Sequence, residues 1–460
     1  MQKLLPNELL QSLTTIKGFD KTAFEETHYH PQQITSVRFN ANKHERFNHT
    51  SIITHPSFML NDAVPWCGNA FYLNERPQFT FDPLLHAGAY YVQEASSMFL
   101  WEALKQVFHR EANIKVLDLC AAPGGKSSLL AAYFSNALIV SNEVIKTRTN
   151  VLYENLTKWG SPNVVITNND AADFKRIKNY FDLMVVDAPC SGSGLFRKDA
   201  EAIDEWSENN VQLCSQRQQR ILADAFASLK QDGFLIYSTC SYSRQEDEEI
   251  LDWMKNNFDV ESLQLNIDDK WNIVETTSYK HKCYGYRFWP GKIKGEGFFI
   301  AVLKKKEESS FSKQNNNSLP AVANKESNAL RSFIIEDDWL FFQQKEIIRV
   351  IKKQWNNDVA FLQKNLYLRK AGVQLGEIKG KDLVPHEELA LSLIVSDNVK
   401  KTELNHDQSL QYLRKKELPV LIDDKGWALC THKNFPLGWI KILHNRVNNY
   451  YPTEWRIRKE

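Results

Sequence analysis

The sequence predicts an α/β protein built on a doubly wound parallel sheet. Between about 81 and 303, short apolar runs alternate with helical stretches, the signature of repeated βα units. One run, FDLMVVDAPC, is apolar almost throughout, as a strand buried on both faces must be. A glycine turn, APGG, separates the first run from the helix that follows it.

In chain order, IKVLDLC is the first strand and KSSLLAAYF its helix. ALIVSNE is the second strand, with KTRTNVLYENLTKWG returning as a helix; NVVITNND is the third and FDLMVVDAPC the fourth. A long helical stretch from about 199 to 230 leads to a turn at Asp232-Gly233. The strand FLIYSTC, the acidic helix QEDEEILDWM and a last strand, FFIAVL, complete the pattern. Residues 1–80 are mixed and form a small N-terminal domain. Residues 304–330 are polar and rich in Ser, Asn and Lys, which is linker composition. The expected organisation is therefore 1–80, a core at 81–303, a linker at 304–330 and a C-terminal domain at 331–460.

The chain of 460 residues is 43% hydrophobic, enough to fill several cores. Its net charge is +1, so composition alone does not announce a nucleic-acid binder. Seven cysteines without framework spacing argue against a secreted disulfide scaffold, and none has zinc-site spacing, so no metal is expected. The start lacks a signal-peptide core and there is no 18-residue apolar run. A monomeric cytoplasmic protein with no membrane partner is the expectation.

The stretch CAAPGGKS resembles a phosphate-binding loop, but Cys120 stands where the first glycine should be. In doubly wound sheets, ligands bind beyond the carboxyl ends of the strands, and an acid ending the second strand holds ribose hydroxyls. Glu143 ends ALIVSNE, and Asp170 ends the third strand, placed for an adenine amino group. A Gly turn, a ribose acid and an adenine acid describe an adenosine ligand without a triphosphate. No second glycine fingerprint is present, so a dinucleotide fits less well than S-adenosylmethionine. Taken singly, Glu143 and Asp170 are as readily ordinary surface acids; in strand-end register behind the Gly turn, the binding reading wins.

Cys190 and Cys240 each follow a strand, in the turn-forming contexts APCSGSG and STCSYS. A buried cysteine is usually a small apolar filler, which accounts for Cys67, Cys214, Cys283 and Cys430 but less well for these two. If their strands are neighbours, about 4.8 Å apart, both thiols enter the ligand crevice. A thiolate that adds to carbon 6 of a pyrimidine makes carbon 5 nucleophilic, which is covalent catalysis of methyl transfer. The reaction also needs an acid near ring nitrogen 3 and a base for the carbon 5 proton. Asp187, three residues before Cys190, could contact the pyrimidine edge.

CAAPGGK, DAPCSGSG and STCS, in this order, resemble the Nol/Nop/Sun family of RNA cytosine carbon-5 methyltransferases. AGAYYVQEASS, QRQQRIL and GEGFF extend the likeness through 81–303. The resemblance implies a Rossmann-like S-adenosylmethionine-dependent core, with Cys240 as nucleophile and Cys190 assisting product release. It implies that Asp187 holds the cytosine, and that Cys120, Ala121, Ala122, Pro123, Gly124, Gly125, Lys126, Glu143, Arg148, Asp170 and Asp187 line the cofactor site. ITSVRFN resembles the family's N-terminal RNA-positioning domain. The tail resembles the PUA-like α+β RNA-binding domain of bacterial RsmF-type enzymes acting on 16S ribosomal RNA of the small subunit. Residues 331–460 hold 22 Lys/Arg against 17 Asp/Glu, and the last thirty residues interleave basic groups with Trp439, Tyr450, Tyr451 and Trp455. That pattern suits RNA backbone neutralisation with base stacking, or a solvated face over core aromatics. A target cytosine must be flipped out or already unpaired to reach a sheet-end pocket. The alternatives are a related enzyme acting on tRNA or another ribosomal cytosine, a non-catalytic RNA-binding scaffold, and an NTPase. Intact Cys190, Cys240 and Asp187 disfavour the scaffold, and Cys120 disfavours the NTPase.

Overall fold

Apolar strands that bury both faces must be covered by helices on both sides, and this chain does so. The computed structural model describes residues 4–48, 58–307, 318–322, 330–344, 346–379, 382–418 and 425–459. Its central sheet contains β1 (Lys115–Asp118), β2 (Leu138–Asn142), β3 (Val164–Thr167), β4 (Phe181–Asp187), β5 (Leu229–Thr239), β6 (Tyr284–Phe288) and β7 (Phe298–Lys305). Their spatial order is 3-2-1-4-5-7-6. Strands β1 to β5 run parallel, and β7 lies antiparallel between β5 and β6. Side chains alternate across each strand. In β4, Leu183 and Val185 enter one core while Met184 and Val186 enter the other, all fully buried. The winding direction reverses between β1 and β4, which opens a crevice at their carboxyl ends.

The main helices are α1 (Gly125–Tyr133), α2 (Lys146–Trp159), α3 (Glu208–Ala225) and α4 (Glu248–Asn257). The long helix expected over 199–230 is interrupted. A short helix, Glu201–Glu205, ends at Trp206, and α3 restarts after Ser207, whose side chain accepts from Asn210 N. Ser207 is a helix-capping residue inside a helical pattern, and the cap wins. The expected Asp232-Gly233 turn is instead a kink within β5. Asp232 takes a left-handed φ of +59°, and pairing with β4 shifts register there. The acidic helix starts at Glu248, after a single turn at Arg244–Glu246.

The expected linker falls largely outside the described residues; within it, Ala321 bridges back to Phe342. Beyond it the chain returns to the central sheet. Strand β8 (Leu368–Ala371) pairs antiparallel with β3 and covers that edge. The N-terminal sheet (Thr35–Phe39, Ala70–Leu73, Leu60–Ala63, Tyr90–Val92) shares one core with the C-terminal sheets. In it, Val37, Phe39 and Tyr90 join Val350, Leu375, Tyr412 and Trp439. The first helices lie elsewhere, with Leu9, Leu13 and Phe24 packed against Trp206, Tyr242 and Trp289. No helix among the described residues is long and apolar enough to cross a membrane.

Candidate active site

The loop joining β1 to α1 carries the Gly motif. Gly124 takes φ +113°, a conformation that a side chain resists, and α1 begins immediately after it. Ser127 on α1 donates to Asp118 Oδ2 at 2.6 Å, tying the helix back to the end of β1. Asp118 is fully buried, and burial pushes its carboxyl up to about 7. From outside the core, Arg38 of the N-terminal sheet reaches the same helix. It donates to Gly125 O at 3.2 Å, Ser128 Oγ at 2.6 Å and Gln93 Oε1 at 3.0 Å, with its guanidinium over the Trp159 ring. Arg38, the basic residue of ITSVRFN, is 1% exposed and braces the Gly loop rather than facing an RNA.

Asn142, the last residue of β2, staples the strand ends together. Its amide donates to Leu119 O at 3.1 Å and Asn169 O at 3.0 Å, and its oxygen accepts from Asn169 N and Thr167 Oγ1. Next to it, Glu143 accepts from Ile145 N at 2.9 Å and faces Arg148 at 3.5 Å; Arg148 also donates to Ala122 O at 2.8 Å. Asp170 accepts from Ala172 N and lies 3.6 Å from Arg220. Glu143, Arg148, Asp170, Cys120 and Ala122 line one cavity of about 640 Å³. Val144 and Ile145 line it too and remain 54% and 48% exposed, an apolar surface suited to a purine face. Two carboxylates to accept from hydroxyls and an amine, beside an apolar wall, fit an adenosine.

A second cavity of about 430 Å³ contains Ala121, Pro123, Gly125, Lys126 and Phe298. The two cavities meet at Cys120, Ala122, Arg148, Asp187, Leu195 and Cys240. Asp187 and Ser238 are register partners on β4 and β5, and Ser238 donates to Asp187 Oδ1 at 2.9 Å. Lys126 approaches Asp187 Oδ2 at 2.7 Å, with its ammonium over the Phe298 ring. Lys126 thus faces the acid at the junction as well as the Gly loop.

Because β4 and β5 are parallel neighbours, the loops after them emerge side by side. The sulfurs of Cys190 and Cys240 lie 3.1 Å apart, within hydrogen-bond reach. The hydrogen bond to Cys240, and then burial, push the Cys190 thiol well above its ordinary range. Gly194 N donates to Cys240 O at 2.7 Å, and a Cβ at Gly194 would stand 2.5 Å from that oxygen. Only glycine lets the two loops approach this closely. Burial also pushes the Cys120 thiol up, while Cys67, Cys214, Cys283 and Cys430 are buried.

The structure therefore brings together Cys190, Cys240, Asp187, Lys126, Glu143, Arg148, Asp170 and the 120–126 loop. The sequence reading missed Asp118, Asn142, Arg38 and the buried acid Glu246 behind the cysteines. Nothing local marked Arg38, because its strand, Thr35–Phe39, already mixes polar Thr35 and Ser36 with Val37 and Phe39. In the tail, Trp439 and Tyr451 are core residues, 1% and 0% exposed, and not stacking platforms. Tyr450 stays partly exposed, edge-on to Trp427, with Lys441 over the Trp427 ring.

Residues 105–304 match the model of the 16S rRNA methyltransferases RsmB/F. Residues 5–95 match the N-terminal domain of 16S rRNA methyltransferase RsmF, and residues 399–457 match the methyltransferase RsmF PUA domain. A ribosomal RNA small subunit methyltransferase F from Shewanella piezotolerans is 27% identical over 434 residues, covering 91% of this chain and 90% of its own. A crystal structure of a methyltransferase homolog protein from Pyrococcus horikoshii is 28% identical, with a TM-score of 0.52 over 65% of this chain and 100% of that one. A Pyrococcus horikoshii protein, NSun6, crystallised with SFG, shares the fold at 17% identity, with a TM-score of 0.52 over 66% of this chain and 99% of that one. With a Rossmann-like core, a cavity at its strand ends and matches along most of its length, the chain belongs to the RsmB/F family of S-adenosylmethionine-dependent 16S rRNA methyltransferases.

Proposed function

We propose that this protein methylates carbon 5 of a cytosine in small-subunit ribosomal RNA through a covalent cysteine intermediate. The observation that carries the proposal is the pair of thiols 3.1 Å apart, with Cys240 and Asp187 at the junction of the two cavities and Cys190 lining the larger one. When bound, S-adenosylmethionine would be held by Glu143 and Asp170 beside the Gly loop and would supply an electrophilic methyl group, its sulfonium sulfur leaving as a neutral thioether.

Cys240, as thiolate, adds to carbon 6 of the cytosine, and the ring's electrons move to carbon 5. Asp187 holds the pyrimidine edge and stabilises charge at ring nitrogen 3, with Lys126 fixed 2.7 Å away. Carbon 5 then takes the methyl group. Solvent water in the crevice takes the carbon 5 proton, the C–H pair re-forms the ring double bond, and the bond from carbon 6 to sulfur breaks to expel Cys240 as thiolate, with Cys190 assisting release. Two thiolates at this spacing repel, so ionising Cys240 keeps the proton on Cys190. That proton stays next to the sulfur that must leave.

The test is bisulfite sequencing of ribosomal and transfer RNA from cells with and without the gene. The expected result is one or more small-subunit cytosines protected only when the gene is present. A protected tRNA cytosine would keep the chemistry and overturn the substrate. No difference in a strain that expresses the protein would overturn the activity.

A further inference from the structure

Three consecutive acids, Glu246, Asp247 and Glu248, follow the Cys240 loop, and all three are buried. Two have evident structural partners. Arg287, itself buried, donates to Glu248 at 2.5 and 2.7 Å and lies 3.0 Å from Asp247 Oδ2. Among the described residues, Glu246 has no cation among its partners. It is 0% exposed and faces the back of the cysteine pair. Burying a carboxylate is costly unless hydrogen bonds replace its water. Here they come from both cysteine loops. Ser191, next to Cys190, donates its backbone N–H to Oε1 at 2.8 Å and its hydroxyl to Oε2 at 2.6 Å. Ser241, next to Cys240, donates its hydroxyl to the same Oε2 at 2.6 Å. Gln218 of α3 adds a bond to Oε1 at 3.2 Å and another to Pro189 O, the residue before Cys190.

We propose that Glu246 is the positioning residue that sets the distance between the two reacting thiols, by clamping the Ser191 and Ser241 neighbours of Cys190 and Cys240 onto one carboxylate. This rests on the covalent reading of Cys240 given above. Parallel strands alone leave their following loops free to diverge. The Gly194 N–Cys240 O bond ties the loops at one point, and a carboxylate that accepts from the residues next to both cysteines fixes them at a second, without touching the substrate. Misplacing reacting atoms by about 1 Å costs on the order of 100-fold in rate, so the clamp acts on turnover and not on cofactor binding.

The test measures turnover and thiol spacing separately in the full-length protein. Glu246→Ala is expected to lower kcat about 100-fold, with KM for S-adenosylmethionine within about twofold. Spacing is read with diamide, which takes two hydrogens from a close thiol pair and leaves a disulfide, followed by mass spectrometry of the peptides containing Cys190 and Cys240. Disulfide formation is expected to be at least about tenfold slower in Glu246→Ala, because proximity sets the rate of closure. Should Glu246→Ala fail to fold, Ser191→Ala combined with Ser241→Ala removes the same hydroxyl donors. Those two substitutions are expected to be non-additive in kcat, since they share an acceptor. Unchanged kcat and unchanged disulfide rate in the folded variant would overturn the proposal. So would a loss of kcat accounted for entirely by a lower folded fraction. Wild-type protein that makes no carbon-5 methylcytosine would overturn the function above, while the diamide rates would still decide the clamp.

Discussion

Cys190 and Cys240 stand 3.1 Å apart, close enough for one sulfur to hydrogen-bond the other. Their roles separate by substitution. Cys240→Ala is expected to abolish methylation while leaving S-adenosylmethionine affinity within about threefold, because the adenosine side of the junction is built by other residues. Equilibrium binding and single-turnover assays on the purified variant check this, and normal turnover would remove Cys240 as nucleophile. Cys190→Ala is expected to leave a covalent protein–RNA adduct, seen as a denaturant-resistant shift on a gel. Absence of that band during turnover would take release away from Cys190. These thiols were legible in the sequence because each sits in a polar turn directly after an apolar strand. Asn142, Asp118 and Arg38 were not, because their meaning lies in distant partners. Arg38 acts on Ser128, ninety positions away, and nothing local to ITSVRFN announces that contact.

Among the elements, strands were more legible than helices. The six apolar runs became β1 to β5 and β7, whereas the 199–230 helix broke at its internal cap and the acidic run before α4 turned inward. A stretch of acids reads as a solvated helix face until the fold supplies donors for it. The N-terminal helix Ala41–Asn48 shows the same limit with the opposite charge. Its Lys43 is fully buried and donates to Ala87 O at 2.5 Å and to Lys158 O, in the last turn of α2, at 2.6 Å. Burial lowers its pKa from 10.5 to about 7. Between those values the unfolded chain binds a proton that the folded chain has lost, so this group makes stability rise with pH above about 7. Below about 7 both states are protonated and the contribution is flat. Lys43→Met is therefore expected to flatten the gain in unfolding free energy between pH 7 and 9, by up to about 1.4 kcal/mol per pH unit. Urea titrations at several pH values measure that slope, and an identical slope in the variant would refute the assignment.

At the scale of the whole molecule, the chain is less modular than its composition suggests. The N-terminal sheet packs into the C-terminal core, with Arg46 bonded to Leu393 O, Val395 O and Asp397, and His44 and Phe47 against Phe435. A chain ending at residue 304 would bare this shared face and the β3 edge. It is expected to lose more than the few kcal/mol by which domains are stable and to aggregate on expression. A soluble fragment with a full-length urea midpoint would contradict that. The polar segment after β7 shows where the sequence changes character, but no periodicity reveals that β8 crosses back to the catalytic sheet. Tyr367, just before β8, exchanges hydrogen bonds with Asn169, whose own N–H is held by Asn142 beside Glu143. During synthesis, β3 leaves the ribosome about two hundred residues ahead of the strand that borders it. At roughly 5–20 residues per second, some ten to forty seconds pass with the adenine side of the crevice unbraced. The end of β3 beside Asn169 gains its border only as Tyr367 and β8 emerge, so the crevice at that edge is finished late in synthesis.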